Sequence, residues 1–353
     1  MKRASTPALR RPEDAASVVF SALVLLCYGT AFAFMALPGW SGLEGFSQRM
    51  TFVVGVGFLL GLVGGLNATF NLHNHFHLPF FRSEKHNLWF GRLSALAAGW
   101  PWILWSHVHR EHHDHLATDD SWTTPRRKAD GRFEGLITFV LFRWHWRLFT
   151  NLKQDWKSGH VADASLLQKE TRVFALLYAA PFLLGPWVGL GLWLFPHFVA
   201  NFFVAATMTY VMHVGKKGNG DPRLTLANSF DSPLFNRLCF NAGFAATHHA
   251  HPEVHWSELP TVHAEDHERM IEQGTHVLPY GPFHASDVLG VLIGKGDAQE
   301  EFDRTQARDF GTPLCLRITH EDSDVLPAEP QSPAEASDSE ERSSSPAASQ
   351  KAA

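Results

Sequence analysis

Cysteine is nearly absent: three residues in 353, Cys27, Cys239 and Cys315, spread along the chain. So few and so scattered, they build no disulfide framework, and they cannot supply the four thiolates of an iron–sulfur cluster. A reducing, cytoplasm-facing location suits them. Charge is also scarce. Asp, Glu, Lys and Arg make up 18% of the chain, where about a quarter is usual. The net charge is only -5. No long basic run occurs, which excludes nucleic acid as a partner.

What is present is apolar and imidazole-rich. Hydrophobic residues reach 45%, with 28 Phe and 12 Trp, and there are 22 His. Histidine is the commonest metal ligand. Residues 1–17 are polar and basic at the start. Val18 to Leu37 and Thr51 to Phe70 then each run 20 residues without a charge. Either is long enough to cross a hydrocarbon core of about 30 Å as a helix. A secretory signal is the rival reading of the first run, but an h-region is usually roughly 7–15 residues. A further charge-free stretch, Val173 to Gly215, covers 43 residues. It divides into two spans, about 173–195 and 197–213, with a turn near Phe195-Pro196.

The predicted fold is therefore an all-α integral membrane protein, with four transmembrane helices in two hairpins. Positive charge orients it. Lys2, Arg3, Arg10 and Arg11 precede the first hairpin. Arg82, Lys85, Arg92, Arg110, Arg126, Arg127 and Lys128 lie between the hairpins, and Lys216 and Lys217 follow the second. Both termini and every histidine cluster then lie on the cytoplasmic side of an inner membrane, in a helical cap. Leu88–Trp105 and Ile137–Thr150 are apolar but contain Arg, and Trp as well. They read as helices in the headgroup zone, or else as buried helices of the soluble type. The membrane domain extends over 18–300. Residues 321–353 are rich in Ser, Pro, Ala and Glu and read as a disordered tail.

Three histidine clusters carry the chemistry. His73 and His77 are four apart, on one helix face, with His75 pointing elsewhere as an interfacial polar residue. His109, His112 and His113 stand at i, i+3 and i+4, again on one face. His107 and His115 fall outside it, as supporting or solvent-exposed groups. His248 and His249 end a third set whose position three residues earlier is Ala245. His213 closes the fourth span, as a ligand or as an interfacial residue. Imidazole suits zinc, copper, iron and nickel. A structural zinc needs only four ligands, so seven or eight histidines point to two ions. Carboxylate di-iron bundles use repeated Glu-x-x-His, which this chain lacks. A nitrogen-rich di-iron centre fits best, with zinc the alternative.

Taken together, these residues resemble the membrane fatty acid desaturase superfamily, which also contains hydroxylases and ketolases. The resemblance covers roughly residues 18–265. The family boxes HxxxH, HxxHH and HxxHH resemble His73–His77, His109–His113 and the region ending at His248-His249. Asn228 to Phe244, with His255-Trp-Ser-Glu-Leu-Pro, is similar to bacterial members. The resemblance implies an O2-dependent oxidase acting on a lipid acyl chain. It implies two Fe ions held by His73, His77, His109, His112, His113, His213, His248 and His249. A desaturase is the leading expectation, and a lipid or carotenoid hydroxylase or ketolase the alternative. Electrons must come from a separate donor such as a ferredoxin, because the chain lacks the cysteines of a fused one and the His-Pro-Gly-Gly signature of a fused cytochrome b5. Arg126-Arg127-Lys128 is a candidate docking patch for it.

Ala245 departs from the family pattern, which has histidine there. Water fills the position, or His251 or His255 supplies the ligand, or one metal is lost and the protein is a degenerate member serving as a scaffold or zinc binder. A histidine-rich transporter is a weaker reading. The first two spans hold little polar material beyond Ser21, Thr30 and Asn67.

Overall fold

The computed structural model describes residues 8–37, 43, 45–115, 121–125, 134–161, 163–214, 221–225, 227–275 and 277–278. The basic patch Arg126-Arg127-Lys128, the pair Lys216-Lys217 and the expected tail 321–353 lie outside these residues.

Helix α1 (Asp14–Ala36) forms because a run of Ala, Val, Leu and Phe offers no breaker until Pro38. It leads to α2 (Phe46–His77), which continues past the expected end at Phe70 into the first histidine cluster. The last turns of α2 widen into a π-helical stretch, Asn67–Leu72, before regaining α geometry at His73–His77. Such widened turns are frequent beside functional sites. Helices α3 (Glu84–Ala97) and α4 (Trp102–Asp114) follow, and α4 carries the second cluster. Leu88–Trp105 is thus two helices, parted at Gly99. Helix α5 comprises Leu136–Thr138, a π-helical Phe139–Arg143 and Trp144–Ser158. It turns Ile137, Phe142, Trp146 and Phe149 outward.

Helix α6 (Ala164–Ala179) starts at Asp163, whose carboxylate accepts from Leu166 N at 2.8 Å. A 3-10 turn, Ala180–Leu184, ends it. Helix α7 then runs unbroken from Pro186 to His213. The break between these helices lies at Gly185-Pro186, not near Phe195-Pro196 as the sequence suggested. Gly185 has φ +125°, which only glycine adopts readily, and Pro186 opens the next helix. Pro196 stays inside α7, between π-helical stretches Leu190–Leu194 and Val199–Ala205. Widened turns of this kind accommodate a proline in a membrane helix.

Among the described residues, three helices are long and apolar enough to cross a membrane: α1, α2 and α7. Their outward faces carry Leu23, Leu26, Leu59, Phe198 and Phe203, all exposed. This is a mostly helical membrane protein. α2 and α7 approach closely because Gly57, Gly61 and Gly65 stand four apart on α2. A methyl group on Gly61 would meet Pro196 O at 2.6 Å, and one on Gly65 would meet Val204 Cβ at 2.7 Å. With no hydrophobic drive between helices in lipid, small residues of this kind make the packing surface. Val24, Tyr28, Leu60, Leu192 and Trp193 fill the space between α1, α2 and α7.

The cap is α8 (Pro222–Thr225), β1 (Ser229–Phe230), α9 (Pro233–Leu238), α10 (Ala245–Ala250), α11 (Leu259–Glu272) and β2 (Val277–Leu278). The two short strands pair in parallel, a small departure from an all-α fold. A buried hydrogen-bonded pair fastens this cap to the membrane helices. His255 Nε2 lies 2.9 Å from Asp14 Oδ1 at the start of α1, each side chain 2% exposed. Trp256 Nε1 donates to the same carboxylate oxygen at 3.3 Å. Deeper in, Ser21 Oγ donates to Asn67 Oδ1 at 2.6 Å, and Asn71 Nδ2 reaches the same oxygen at 3.2 Å. Ser21 of α1 is thus paired with Asn67 of α2, and Asn67 with Asn71.

Candidate metal centre

Four elements bring histidines to one place. The end of α2 presents His73 and His77. One face of α4 presents His109, His112 and His113. The last residue of α7 is His213, and α10 presents His248 and His249. Helical spacing explains each set, since residues three and four apart share a face. The approach to α10 uses a less common device. Phe240 and Asn241 both take positive φ, 52° and 60°. Asn241 Nδ2 donates to Trp256 O at 2.9 Å and holds this turn. Side chains other than glycine rarely adopt that region, and such residues cluster near functional sites.

All eight expected residues join one continuous cluster of rings. His73 Nε2 lies 2.7 Å from His248 Nε2, His77 Nε2 lies 2.8 Å from His109 Nε2, and His248 Nε2 lies 3.2 Å from His77 Nε2. On the other side, the ring of His112 is 5.0 Å from His213 and 5.0 Å from His249, centre to centre. Two overlapping groups have the spacing of ligands: His73, His77, His113 and His248, and His112, His113 and His249. His113 belongs to both.

The residues fit metal ions. Nitrogens bound to one ion at about 2.0–2.1 Å stand roughly 3 Å apart, as the closest pairs here do. Buried polar atoms normally have partners. Yet His112 Nδ1, His113 Nε2 and His249 Nδ1 are buried and accept or donate no hydrogen bond. Burial pushes His109, His112, His248 and His249 well below the ordinary histidine range, and neighbouring imidazoles add to the effect. His113 is pushed down to about 4 by burial, with His213 adding to it. These rings are neutral at pH 7, so their lone pairs are free to ligate.

Ala245 is buried on α10, on the face of His248 and His249, and its methyl group lines the same cavity. Neither rival histidine replaces it. His251 Nε2 lies 2.8 Å from Asp266 Oδ2, and His255 is held by Asp14. His75 points away from the cluster, but it is buried rather than interfacial. Its Nε2 donates to Asn87 O at 3.0 Å, and its Nδ1 accepts from Phe80 N at 3.2 Å. His107 is likewise buried, 3.1 Å from Asp155 Oδ2, whereas His115 is exposed beside Glu111. Sequence spacing did not mark Asp155 or Asp14, because both pair across elements far apart in the chain.

A cavity of about 140 Å³ opens from the histidines between α2, α4 and α7. Ala68, Trp100, Trp105, Trp144, Leu148 and Met208 give it apolar walls. The exposed Phe198 and Phe203 of α7 face outward instead. Trp105 stacks on the ring of His109, with centres 4.9 Å apart and planes 15° from parallel.

A helical membrane domain thus ends in a cluster of histidines spaced to hold metal, beside an apolar cavity. Residues 48–281 match the family model described as fatty acid desaturase, and the chain belongs to that membrane desaturase superfamily. No curated protein matches the chain.

Proposed function

We propose that this protein is a membrane di-iron oxidase that desaturates a lipid acyl chain. One observation carries the reading: six histidines from α2, α4 and α10 form two overlapping ligand groups that share His113, and they open on an apolar cavity that His109 and His213 also line. In the overall reaction a –CH2–CH2– unit, O2, two electrons and two protons give –CH=CH– and two waters. Bound iron would supply the activation of O2. His73, His77, His109 and His248 would hold one ion and His112, His213 and His249 the other, with His113 within reach of either.

The remaining steps fall to the protein. Trp100, Trp105 and Trp144 keep the cavity dry, which protects the reaction from water. Its volume is close to that of an engineered apolar cavity of about 150 Å³ that takes a benzene-sized guest, so it encloses a short stretch of acyl chain. Positioning of that stretch decides between desaturation and oxygen insertion. Glu170 keeps the wall in register. It pairs with Arg92 at 2.7 Å and accepts from Ile103 N at 3.0 Å, at the N-terminus of α4.

The same reading assigns four spans. Helix α6 with its 3-10 turn would be the third, its outward Val173, Leu176, Leu177 and Leu183 facing lipid. Both termini and the metal centre would be cytoplasmic, in an inner membrane. A separate ferredoxin-like donor would bring the electrons. The outward aromatic face of α5 suits a position among headgroups.

Ala245 favours a second reading, a degenerate member with one weakened site. Metals per chain and lipid products, measured on the iron-grown protein in detergent beside Ala245→His, separate the two. About two irons in the natural protein, with a new double bond in the lipid, support the desaturase. An alcohol or ketone product moves it to the hydroxylases or ketolases. Iron only in Ala245→His means that the centre has been lost.

A further inference from the structure

A second group of ligands lies in the cap, away from the eight histidines. Asp231 follows β1, and its N–H donates to Leu278 O of β2. His263 and His267 stand four apart on α11 and so share a face. One ligand atom from each of the three lies within 4.8 Å of the others. Asp231 Oδ1 is 2.8 Å from His263 Nε2, and Asp231 Oδ2 is 3.8 Å from His267 Nε2.

The first of these contacts is short, yet it is not a hydrogen bond. Both His263 Nε2 and Asp231 Oδ1 are buried atoms without a hydrogen-bond partner. His263 Nδ1 is 2.8 Å from the Thr247 hydroxyl. With Nδ1–H donated there, Nε2 carries a lone pair, and it faces a carboxylate oxygen. Two buried acceptors this close repel unless a cation lies between them. Ligand atoms on one ion at about 2.0–2.2 Å sit roughly 3 Å apart. A ligating histidine commonly gives its second ring N–H to a fixed acceptor, which sets the tautomer.

The surroundings are built to match. His263 is 4% exposed, and Phe244 covers its ring at 4.5 Å. Asp231 and His267 are about 30% exposed, at 32% and 27% for their side chains, which leaves an entry path and room for water. Two imidazoles and one carboxylate, with an open position, suit a zinc-class divalent ion.

We propose that Asp231, His263 and His267 form a mononuclear zinc-class site, separate from the desaturase centre. It would clamp β1 to α11. Through Thr247 it would also brace α10, the helix that carries His248 and His249.

The test is Co²⁺ uptake by the iron-loaded, full-length protein in detergent, read as metal per chain and as the visible absorption of bound cobalt. The natural protein, Asp231→Asn, His267→Ala and the box variant His249→Ala are compared. The expected result is about one Co²⁺ per chain in the natural protein and in His249→Ala, with loss in Asp231→Asn and His267→Ala. Equal uptake in all four, or none in the natural protein, would overturn the site. Should His267→Ala misfold, His267→Cys retains a ligand atom and is expected to keep the cobalt; a cobalt-free, folded His267→Cys also overturns it. Iron content is counted separately, so loss of the di-iron reading leaves this result interpretable.

Discussion

Two sets of histidines sit within a few turns of each other, and they differ in what faces them. His73, His77, His109 and His248 contact one another through Nε2, with no carboxylate between them. His107, His251 and His255 each face a carboxylate: Asp155, Asp266 and Asp14. The first set is a stack of like groups, which must stay neutral and calls for a cation. The second already has its hydrogen-bond partners and works as fasteners. Spacing along a helix sets His107 off the face of His109, His112 and His113, but it does not say that His107 meets Asp155. The partner separates the sets.

The sharpest way to break this comparison is His113→Ala. His113 belongs to both ligand groups. Its loss is expected to remove or weaken at least one iron and to lower turnover by more than the roughly 10–100-fold that removing an outer-shell partner costs. Metal analysis and lipid product analysis check this. A variant that keeps two irons would take His113 out of the ligand set. For the fasteners the expectation is reversed. Asp14→Ala leaves His255 buried without its partner and should destabilise the fold by about 1–3 kcal/mol. Thermal unfolding of the metal-free protein measures it, while metal per folded chain stays unchanged.

Acid should tell the sets apart next, in protein stripped by a chelator. The folded chain holds His113 down at about 4, against an ordinary 6.5. The unfolded chain therefore takes up protons first. Stability is unaffected above about pH 6.5 and falls as the pH drops from there towards about 4. His109, His112, His248 and His249 act in the same direction. Replacing His112 by Gln should flatten that slope. The smallest effect is expected at His115, which is exposed and pairs with Glu111 one turn earlier. His115→Ala should change stability by about 0.3–0.5 kcal/mol, and a larger change in the unfolding midpoint would mean that this ring does more than decorate the surface.

Five of the eight cluster histidines were legible in the sequence because helix periodicity alone puts His73 with His77, and His109 with His112 and His113; His248, His249 and His213 were singled out without a complete helical set. The fasteners were not legible. Asp14 and His255 are separated by most of the chain, and nothing local in either segment signals the pair. Nor was the break at Gly185 legible. Gly185 and Pro186 sit inside an apolar stretch that also holds Phe195-Pro196; Gly-Pro is the stronger signal, but the even division of 43 residues favours the later proline. Only packing against the glycine stripe of α2 makes Pro196 an interior residue. His75 and His77 show the same limit at shorter range: two residues apart, one is a buried pin for the Phe80–Asn87 loop and the other belongs to the cluster.

By itself, then, the sequence determined the apolar runs, the helical character and the spacing of the three boxes. All of these depend on neighbours within a turn or two. The tertiary structure decided which histidines meet each other and which meet a carboxylate. It also decided that α2 and α7 touch through glycine, and that Asp231 faces His263. The reason is physical: periodicity says which face of a helix a side chain takes, but only packing says what that face meets.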